Sequence, residues 1–422
     1  MIFNFFKGKS EYTKNILTLV TGTGIAQLVP LAVSPIVTRL YTPEDFGMIA
    51  LYMSIVSILV VLSSGRYEMA IMLPKNDSDV SGILRLIALL TLCVSFLLLI
   101  IICFFANEIA IFLGSEELSS WLYLIPVSII LTVMYQSLNY LAIRASKFKL
   151  LASNKVIAST SNASLQLGVG YTLNTPWGLL LGHLASLSFC LYILLKRKTI
   201  RLFFSLSRGD VKSSAREYAN FPKYDMPAIL VNLSANQLPL VVLGKFFGLG
   251  VLGAYSFMYK ILMMPVGLIS NSVLDVFKQK ATSDYNRFGN CRGVYFSTFK
   301  HLILISGPIF IVFFIFSPDL FSFIFGSEWK EAGEFARIMA PMFFFKFVTS
   351  PLSYTLFVTG KQKQNLKGQV AILFVSLMAV LAGLYFDDVF IFLVSLSFLN
   401  SLIYIFYLFF SYRCSLGDVA HD

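Results

Sequence analysis

Few residues of this sequence have the types and spacing that catalysis or metal binding requires. The three histidines, His183, His301 and His421, are far apart in the chain, which predicts neither a histidine metal site nor a Ser/His/Asp triad. Residues 8–10, Gly-Lys-Ser, resemble the end of a phosphate-binding loop, but that motif needs a glycine five residues earlier, where Phe3 stands. The sequence therefore predicts no catalytic residue, no metal site, no cofactor and no ATP hydrolysis.

Two lysines lie near the middle of long apolar segments, where a positive charge is costly. Lys260 follows Tyr259 in one segment, and Lys346 lies between two prolines in another. On insertion scales a lysine at the centre of a membrane helix costs roughly 2.5 to 3.5 kcal/mol, and such residues normally face a cavity or a partner. No carboxylate lies one helical turn away on the same segment. We therefore predict that both lysines face an internal cavity that favours an anionic cargo.

Three arginines lie nearer the ends of apolar segments: Arg39, Arg66 and Arg337. At such positions a long side chain can extend to the membrane surface at little cost, so this role is an alternative to ligand binding. Arg39 and Arg66 are nevertheless candidate binding residues, because both lie in the sequence motif described below.

Polar side chains gather in the first apolar segment of each half of the chain. Because lipid offers them no hydrogen bonds, they must face protein or water. They predict a polar cavity between the two halves, and hydrogen bonding between helices is the alternative. The residues predicted to line the cavity are Gln27, Asn232, Asn236 and Gln237.

The composition indicates that membrane helices position these residues. Soluble domains contain about 45 to 50% apolar and about 25% charged residues, whereas this chain of 422 residues is 57% apolar and 13% charged. A membrane-spanning helix needs about 20 apolar residues. The sequence predicts an all-α polytopic membrane protein with about twelve spans, near 15–38, 45–64, 82–105, 119–142, 153–173, 176–195, 225–245, 251–273, 297–316, 335–358, 367–385 and 389–411.

Basic residues are concentrated in alternate connections, which predicts that these connections and both termini are cytoplasmic. Their dispersal also accounts for the net charge of +11 without a nucleic-acid partner. The longest connection predicts a division into a six-helix bundle at 1–198, a cytoplasmic linker at 199–223 and a second six-helix bundle at 224–422. A weak match between the segments beginning at Gln27 and Gln237 favours an internal duplication.

Two stretches carry a family resemblance. Residues 35–52, PIVTRLYTPEDFGMIALY, and residues 65–77, GRYEMAIMLPKND, resemble the N-terminal signature of bacterial polysaccharide repeat-unit flippases. These flippases belong to the multidrug/oligosaccharidyl-lipid/polysaccharide exporter superfamily. Within the motif, Arg39, Arg66 and Glu68 are the ionisable residues of interest. Arg66 and Glu68 stand two residues apart, so on one helix they would point away from each other, and no salt bridge between them is predicted.

The resemblance implies two six-helix bundles related by pseudo-twofold symmetry around a central cavity that opens alternately to either side. It implies a transporter rather than an enzyme, in the bacterial cytoplasmic membrane. The implied activity moves an undecaprenyl-diphosphate-linked oligosaccharide to the periplasmic leaflet for O-antigen or capsule synthesis, alongside a polysaccharide polymerase and a chain-length regulator. Cavity lysines could bind the diphosphate. The coupling ion, proton or sodium, is left open.

A flippase for the peptidoglycan lipid precursor is an alternative within the same class, because its cargo shares the lipid diphosphate, but its arginine-rich early spans are not matched here. Two functions of other kinds also compete with this interpretation. A multidrug exporter of the same superfamily takes organic cations and calls for cavity carboxylates, for which Glu68, Asp225 and Asp275 are the candidates. A polysaccharide polymerase or ligase normally depends on a large external loop with Arg or His. The longest external connection predicted here, 317–334, is short and acidic and lacks histidine, which ranks this enzyme last.

Overall fold

The computed structural model describes residues 11–173, 175–195 and 211–417. Every regular element in these residues is helical, which confirms the predicted all-α fold class. The chain divides into two compact units, one ending at Ser234 and the other beginning at Ala235. The division falls inside a helix. The predicted linker at 199–223 lies partly outside the described residues, so the predicted domain boundaries stay a prediction.

In its described residues, the first unit contains eight helices and the start of a ninth. A 3₁₀ turn at Tyr67–Met72 follows the second helix, and a π-helical turn at Phe221–Asp225 precedes the ninth. Helices α1 and α6 pack along each other, and α7 packs on α6. The helices are α1 Glu11–Leu40, α2 Pro43–Ser64, α3 Asp77–Phe112, α4 Leu118–Leu122, α5 Ile125–Arg144, α6 Phe148–Leu173, α7 Trp177–Leu195, α8 Val211–Glu217 and α9 Met226–Val242.

The second unit, as far as residue 417, contains the end of α9 and seven further helices. Helix α13 lies at its centre and packs against α10, α12 and α16. Its core is rich in aromatic rings: the ring of Phe257 on α10 contacts the rings of Phe325 and Trp329 at centroid distances of 4.8 and 4.5 Å. The helices are α10 Leu249–Pro265, α11 Asn271–Phe288, α12 Arg292–Phe325, α13 Lys330–Leu352, α14 Thr355–Val358, α15 Gln362–Phe386 and α16 Val389–Ser415.

Most of the predicted spans meet the requirements for crossing a membrane. Among the described residues, nine helices are long and apolar enough, and the adjoining stretches Phe221–Ser234 and Asn236–Phe247 together would make a tenth. Each of the twelve predicted segments overlaps a helix, and those at 119–142, 251–273 and 335–358 each cover more than one. Those at 153–173 and 335–358 lie mainly in α6 and α13, whose polar residues lower their hydropathy. That all twelve cross the membrane, and that the two halves are symmetric, stay predictions.

Prolines interrupt the hydrogen bonding of several helices, and neighbouring hydroxyl groups replace the lost donors. A proline has no N–H for the carbonyl four residues before it. The carbonyl freed by Pro30 accepts a hydrogen bond from the Ser159 hydroxyl of α6, at 2.6 Å. The carbonyl freed by Pro351 accepts one from the Ser270 hydroxyl, at 2.7 Å. These two serine hydroxyls therefore form interhelical hydrogen bonds that replace backbone donors.

Candidate functional site

The first stretch of the family motif fixes the turn between α1 and α2. The Thr42 side chain accepts a hydrogen bond from the backbone N–H of Asp45, and the Asp45 carboxylate accepts one from the backbone N–H of Thr42. This reciprocal capping, with Pro43 in the first turn, starts α2. The Tyr41 hydroxyl donates to the backbone carbonyl of Gln166 on α6, at 2.7 Å. These motif residues therefore have a structural role.

The second stretch of the motif reverses the chain at the end of α2. Gly65 and Arg66 both have left-handed backbone conformations, with φ of 58° and 63°. For a residue other than glycine this conformation costs about 1 kcal/mol or more. It ends α2 and places the 3₁₀ turn Tyr67–Met72 beside the helix end.

Arg66 forms ion pairs with two carboxylates. Its Nε lies 3.0 Å from Oδ2 of Asp225, and its Nη1 lies 3.3 Å from Oε1 of Glu68. The prediction that Arg66 and Glu68 do not pair is wrong, because it assumed a continuous helix. The left-handed conformation at Arg66 removes the helical geometry that would have directed the two side chains apart.

The Arg66 cluster, which consists of Arg66, Glu68 and Asp225, is largely buried. The side chains are 17%, 2% and 38% exposed, in that order. Because the cation faces two carboxylates, its positive charge is neutralised within the cluster, which has one formal negative charge in excess. Glu68 is the most deeply buried member, and its Oε2 has no hydrogen-bond partner among the described residues.

Further contacts join this turn to the segment that follows α8. The Tyr67 hydroxyl donates to the backbone carbonyl of Ala215, at 3.2 Å. Nearby, burial raises the pKa of Tyr218 to about 12, and the carboxylates of Glu217 and Asp79 act in the same direction. Tyr218 is therefore protonated at neutral pH. These contacts hold the segment from α8 to Asp225 against the end of α2.

Arg39 lies at the opposite end of α2 from Arg66. Helix α2 separates them with its 22 residues, a length of about 33 Å at a rise of 1.5 Å per residue. Arg39 is exposed and has no hydrogen bond or ion pair with the described residues. The two arginines predicted to share a binding site are therefore not brought together. Arg337, the third arginine near the end of an apolar segment, donates a hydrogen bond from Nη2 to the backbone carbonyl of Ile315, at 3.2 Å.

In the second unit, Lys346 is surrounded by aromatic side chains. Its Nζ donates to the Tyr259 hydroxyl at 3.2 Å. The same atom lies 5.4 Å from the ring centroid of Tyr259 and 5.6 Å from that of Phe343. These distances are typical of cation–π contacts. No carboxylate among the described residues forms an ion pair with Lys346, so its positive charge is not balanced there.

Lys260 follows Tyr259 on α10 and also lacks an anionic partner. It is exposed and forms no hydrogen bond or ion pair with the described residues. The aromatic surroundings of Lys346 extend along α10, because the ring centroids of Tyr255 and Tyr259 lie 6.2 Å apart. We call Lys260, Lys346 and Tyr259 the lysine–tyrosine site. The sequence named both lysines but not Tyr259, because tyrosines are common throughout the chain.

The predicted polar lining residues occur in both units. Gln27 is on α1 and half-buried, whereas Asn232, Asn236 and Gln237 are on α9. Asn232 and Asn236 are exposed. The side-chain oxygen of Gln237 is buried and has no hydrogen-bond partner among the described residues. That these four residues line one cavity stays a prediction.

The close packing of α6 and α7 accounts for Gly182, which precedes His183. A Cβ at Gly182 would lie 3.0 Å from the side chain of Gln166 and 3.1 Å from that of Asn162, both on α6. Only a glycine allows this close approach without displacing a neighbour.

Within the described residues, no group of three or more His, Cys, Asp and Glu side chains could hold a metal ion.

Comparison with known proteins identifies the family. Residues 36–334 match a family described as "Polysaccharide biosynthesis protein". The chain belongs to this family. The match includes most of the motif, Arg66 and Lys260. Lys346 lies beyond the matched residues.

Two curated proteins of polysaccharide pathways are similar in sequence to this chain over part of their length. The succinoglycan biosynthesis transport protein ExoT of Rhizobium meliloti is 23% identical over 311 residues, which cover 72% of this chain and 61% of that protein. The teichuronic acid biosynthesis protein TuaB of Bacillus subtilis is 24% identical over 147 residues, which cover 35% of this chain and 30% of that protein. The chain thus spans less than two thirds of the length of both relatives.

Solved transporter structures share the fold of this polysaccharide biosynthesis protein. An inward-facing multidrug resistance MATE transporter of the MOP superfamily gives a TM-score of 0.70 at 13% identity, over 96% of both chains. The lipid II flippase MurJ in an inward closed conformation gives a TM-score of 0.71 at 15% identity, over 94% of this chain and 87% of that one. The chain therefore shares the fold of these two transporters.

Proposed function

We propose that this protein is a flippase that moves an undecaprenyl-diphosphate-linked oligosaccharide repeat unit from the cytoplasmic to the periplasmic leaflet by alternating access. The observation that carries the proposal is Lys346, an intramembrane lysine held by a phenol hydroxyl and two aromatic rings without a carboxylate. The family and the transporter fold support the same function.

The surroundings of Lys346 suit the diphosphate group of such a substrate. Aromatic faces and a hydroxyl stabilise an ammonium group without neutralising it. The net positive charge remains available to a ligand, and charge-assisted hydrogen bonds to phosphate are about twice as strong as neutral ones. Aromatic rings beside the charge also offer apolar faces to the sugar rings.

Lys260, which directly follows Tyr259 on α10, adds a second cation. An exposed lysine within a membrane-spanning helix is costly against lipid and normally faces water or a protein cavity. We infer that Lys260 faces the substrate pathway and meets the diphosphate during transport. Polymer synthesis then takes place outside the cytoplasmic membrane, where a polymerase and a chain-length regulator would act on the product.

The pairing of the carboxylates argues against a cation exporter. Of the three candidates for binding a cationic drug, Glu68 and Asp225 pair with Arg66. Asp275 lies 3.8 Å from Nζ of Lys278. The likeness to multidrug transporters concerns the fold alone, whereas the unbalanced charges at the lysine–tyrosine site are positive.

Deletion of the gene from its host, followed by complementation, tests the proposal. The deletion should abolish surface polysaccharide and trap single lipid-linked repeat units on the cytoplasmic side, and the intact gene should restore both. Units that reach the periplasmic face without forming long chains would instead indicate a polymerase. Unchanged polysaccharide with altered drug tolerance would indicate a multidrug exporter.

A further inference from the structure

Helices α11 and α12 border an open cavity whose lining includes no residue of the lysine–tyrosine site. Its volume is about 590 Å³, within the range of about 300 to 1,000 Å³ that is typical of small-molecule sites. Leucine, isoleucine and valine side chains form much of its wall, and the polar lining residues are Ser272, Lys280, Ser297, Thr298 and His301. No carboxylate lines it.

Two hydroxyl groups that line this cavity have no hydrogen-bond partner among the described residues. The hydroxyls of Ser297 and Thr298 make no hydrogen bond to any described residue, although hydroxyls in helices commonly bond to a preceding carbonyl, as Ser272 does to Leu268 at 2.8 Å. His301 Nδ1 lies 2.6 Å from the carbonyl oxygen of Ser297. Because a carbonyl oxygen only accepts, Nδ1 carries the hydrogen, and Nε2 of the neutral ring is then an acceptor rather than a further donor.

The charge of Lys280 is available as well. Lys278, two residues earlier on α11, lies 3.8 Å from the Asp275 carboxylate and 5.2 Å from the ring centroid of Tyr354. Lys280 forms no hydrogen bond or ion pair with the described residues and lines the cavity. One ammonium group and two free hydroxyls thus converge on a space that contains no negative charge.

The cavity opens onto an apolar surface. Val276 lines it and is 68% exposed, and on α12 Phe296 and Leu304 are 59% and 71% exposed. In a membrane protein such exposed apolar side chains face lipid chains. A ligand here therefore meets cationic and hydroxyl donors at one end and hydrocarbon at the other, which is the chemistry of an anionic lipid.

We propose that the α11–α12 cavity binds the phosphate of an anionic phospholipid of the surrounding bilayer. Lys280 supplies the charge, Ser297 and Thr298 donate hydrogen bonds to phosphate oxygens, and the acyl chains lie along the apolar surface beside Val276. Basic pockets between membrane helices are known to hold anionic lipid headgroups. This inference does not depend on the transported substrate.

Lipid retention by the full-length protein tests the proposal. The protein is purified, reconstituted in nanodiscs of phosphatidylcholine with a minor fraction of phosphatidylglycerol, and the lipid that remains after delipidation is measured by native mass spectrometry. The wild type should retain phosphatidylglycerol in preference to phosphatidylcholine. Lys280→Ala should lower this retention roughly fivefold, and Lys280→Ala combined with Thr298→Val should lower it roughly tenfold or more.

Two variants serve as controls. Lys300→Ala removes an exposed lysine of the same hairpin that does not line the cavity, and it should retain phosphatidylglycerol like the wild type. Lys280→Arg keeps the charge and should retain most of the binding, which separates lipid loss from misfolding. Equal losses in Lys280→Ala and Lys300→Ala, or no loss in either, would overturn the proposal. Stronger retention of added undecaprenyl phosphate than of phosphatidylglycerol, with the same dependence on Lys280, would overturn the assignment to a bilayer phospholipid.

Discussion

Arg66 and Lys346 are both intramembrane or near-membrane cations, but their surroundings are opposite. Arg66 lies within 3.3 Å of two carboxylates, whereas Lys346 contacts a phenol hydroxyl and two aromatic rings. In the first region the charge is neutralised by the protein, so the ion pairs hold segments of the chain together. In the second the charge is stabilised without neutralisation and remains able to attract an anion. A cation in a membrane segment therefore indicates binding only when its partners carry no negative charge.

The largest effect should follow from removing both lysines of the second region. Lys260→Ala combined with Lys346→Ala should reduce surface glycan at least roughly tenfold, because two charge-assisted contacts to the substrate, each of about 1.5 to 3 kcal/mol, are lost. Surface glycan is measured by gel electrophoresis and the amount of protein by immunoblot. Lys363→Ala, which removes an exposed lysine of α15, is the matched control. Normal glycan in the double variant would remove the lysine–tyrosine site from the mechanism.

Arg66→Ala should lower the amount of folded protein. It leaves the buried Glu68 carboxylate without its cation, and breaking a buried ion pair typically costs about 3 to 5 kcal/mol. The measurements are the melting temperature of the purified protein and its level in membranes.

Combining Arg66→Ala with Glu68→Gln separates a structural from a binding role of Arg66. Since the double variant has no unpaired buried charge at Glu68, it should regain melting temperature and surface glycan relative to Arg66→Ala. If the double variant regains its melting temperature but not surface glycan, Arg66 contacts the substrate. Arg66 and Lys346 would then both be binding residues, and the difference between the two regions would not hold.

Tyr259→Phe should have a moderate effect. The change keeps the ring beside Lys346 and removes the hydroxyl that accepts its hydrogen bond at 3.2 Å. With a loss of about 1 kcal/mol, surface glycan should fall roughly fivefold at equal protein level. Tyr385→Phe, at a residue that is 83% exposed, should change nothing. A melting temperature lowered as much as in Arg66→Ala would mean that the hydroxyl supports folding rather than the position of Lys346.

The smallest effect is expected from Asp225→Asn. The Asp225 side chain is 38% exposed, and a partly solvated ion pair contributes about 1 kcal/mol or less. Arg66 also keeps Glu68 as a partner. The melting temperature and surface glycan should therefore stay close to the wild-type values. A large loss of glycan with an unchanged melting temperature would assign Asp225 a role in transport.

Local sequence patterns predict the helices well. They do not predict which side chains meet where the backbone departs from helical geometry. The segment after Ser64 was treated as helical, which placed Arg66 and Glu68 on different faces. The left-handed conformations of Gly65 and Arg66 bring them together instead. Arg39 was grouped with Arg66 because both belong to one motif, although α2 lies between them. Proximity in sequence does not predict proximity in space across a helix of 22 residues.

The amino-acid sequence is sufficient to predict a helical membrane protein, the positions of its helices, and Lys260 and Lys346 as cations within apolar segments. These properties depend on composition and hydropathy, which are local. Which cations are neutralised depends instead on contacts between residues that are distant in the chain. Arg66 pairs with Asp225 across 159 positions of the chain, and Lys346 contacts Tyr259 across 87. Such partners depend on which helices pack together and where a backbone turn directs each side chain.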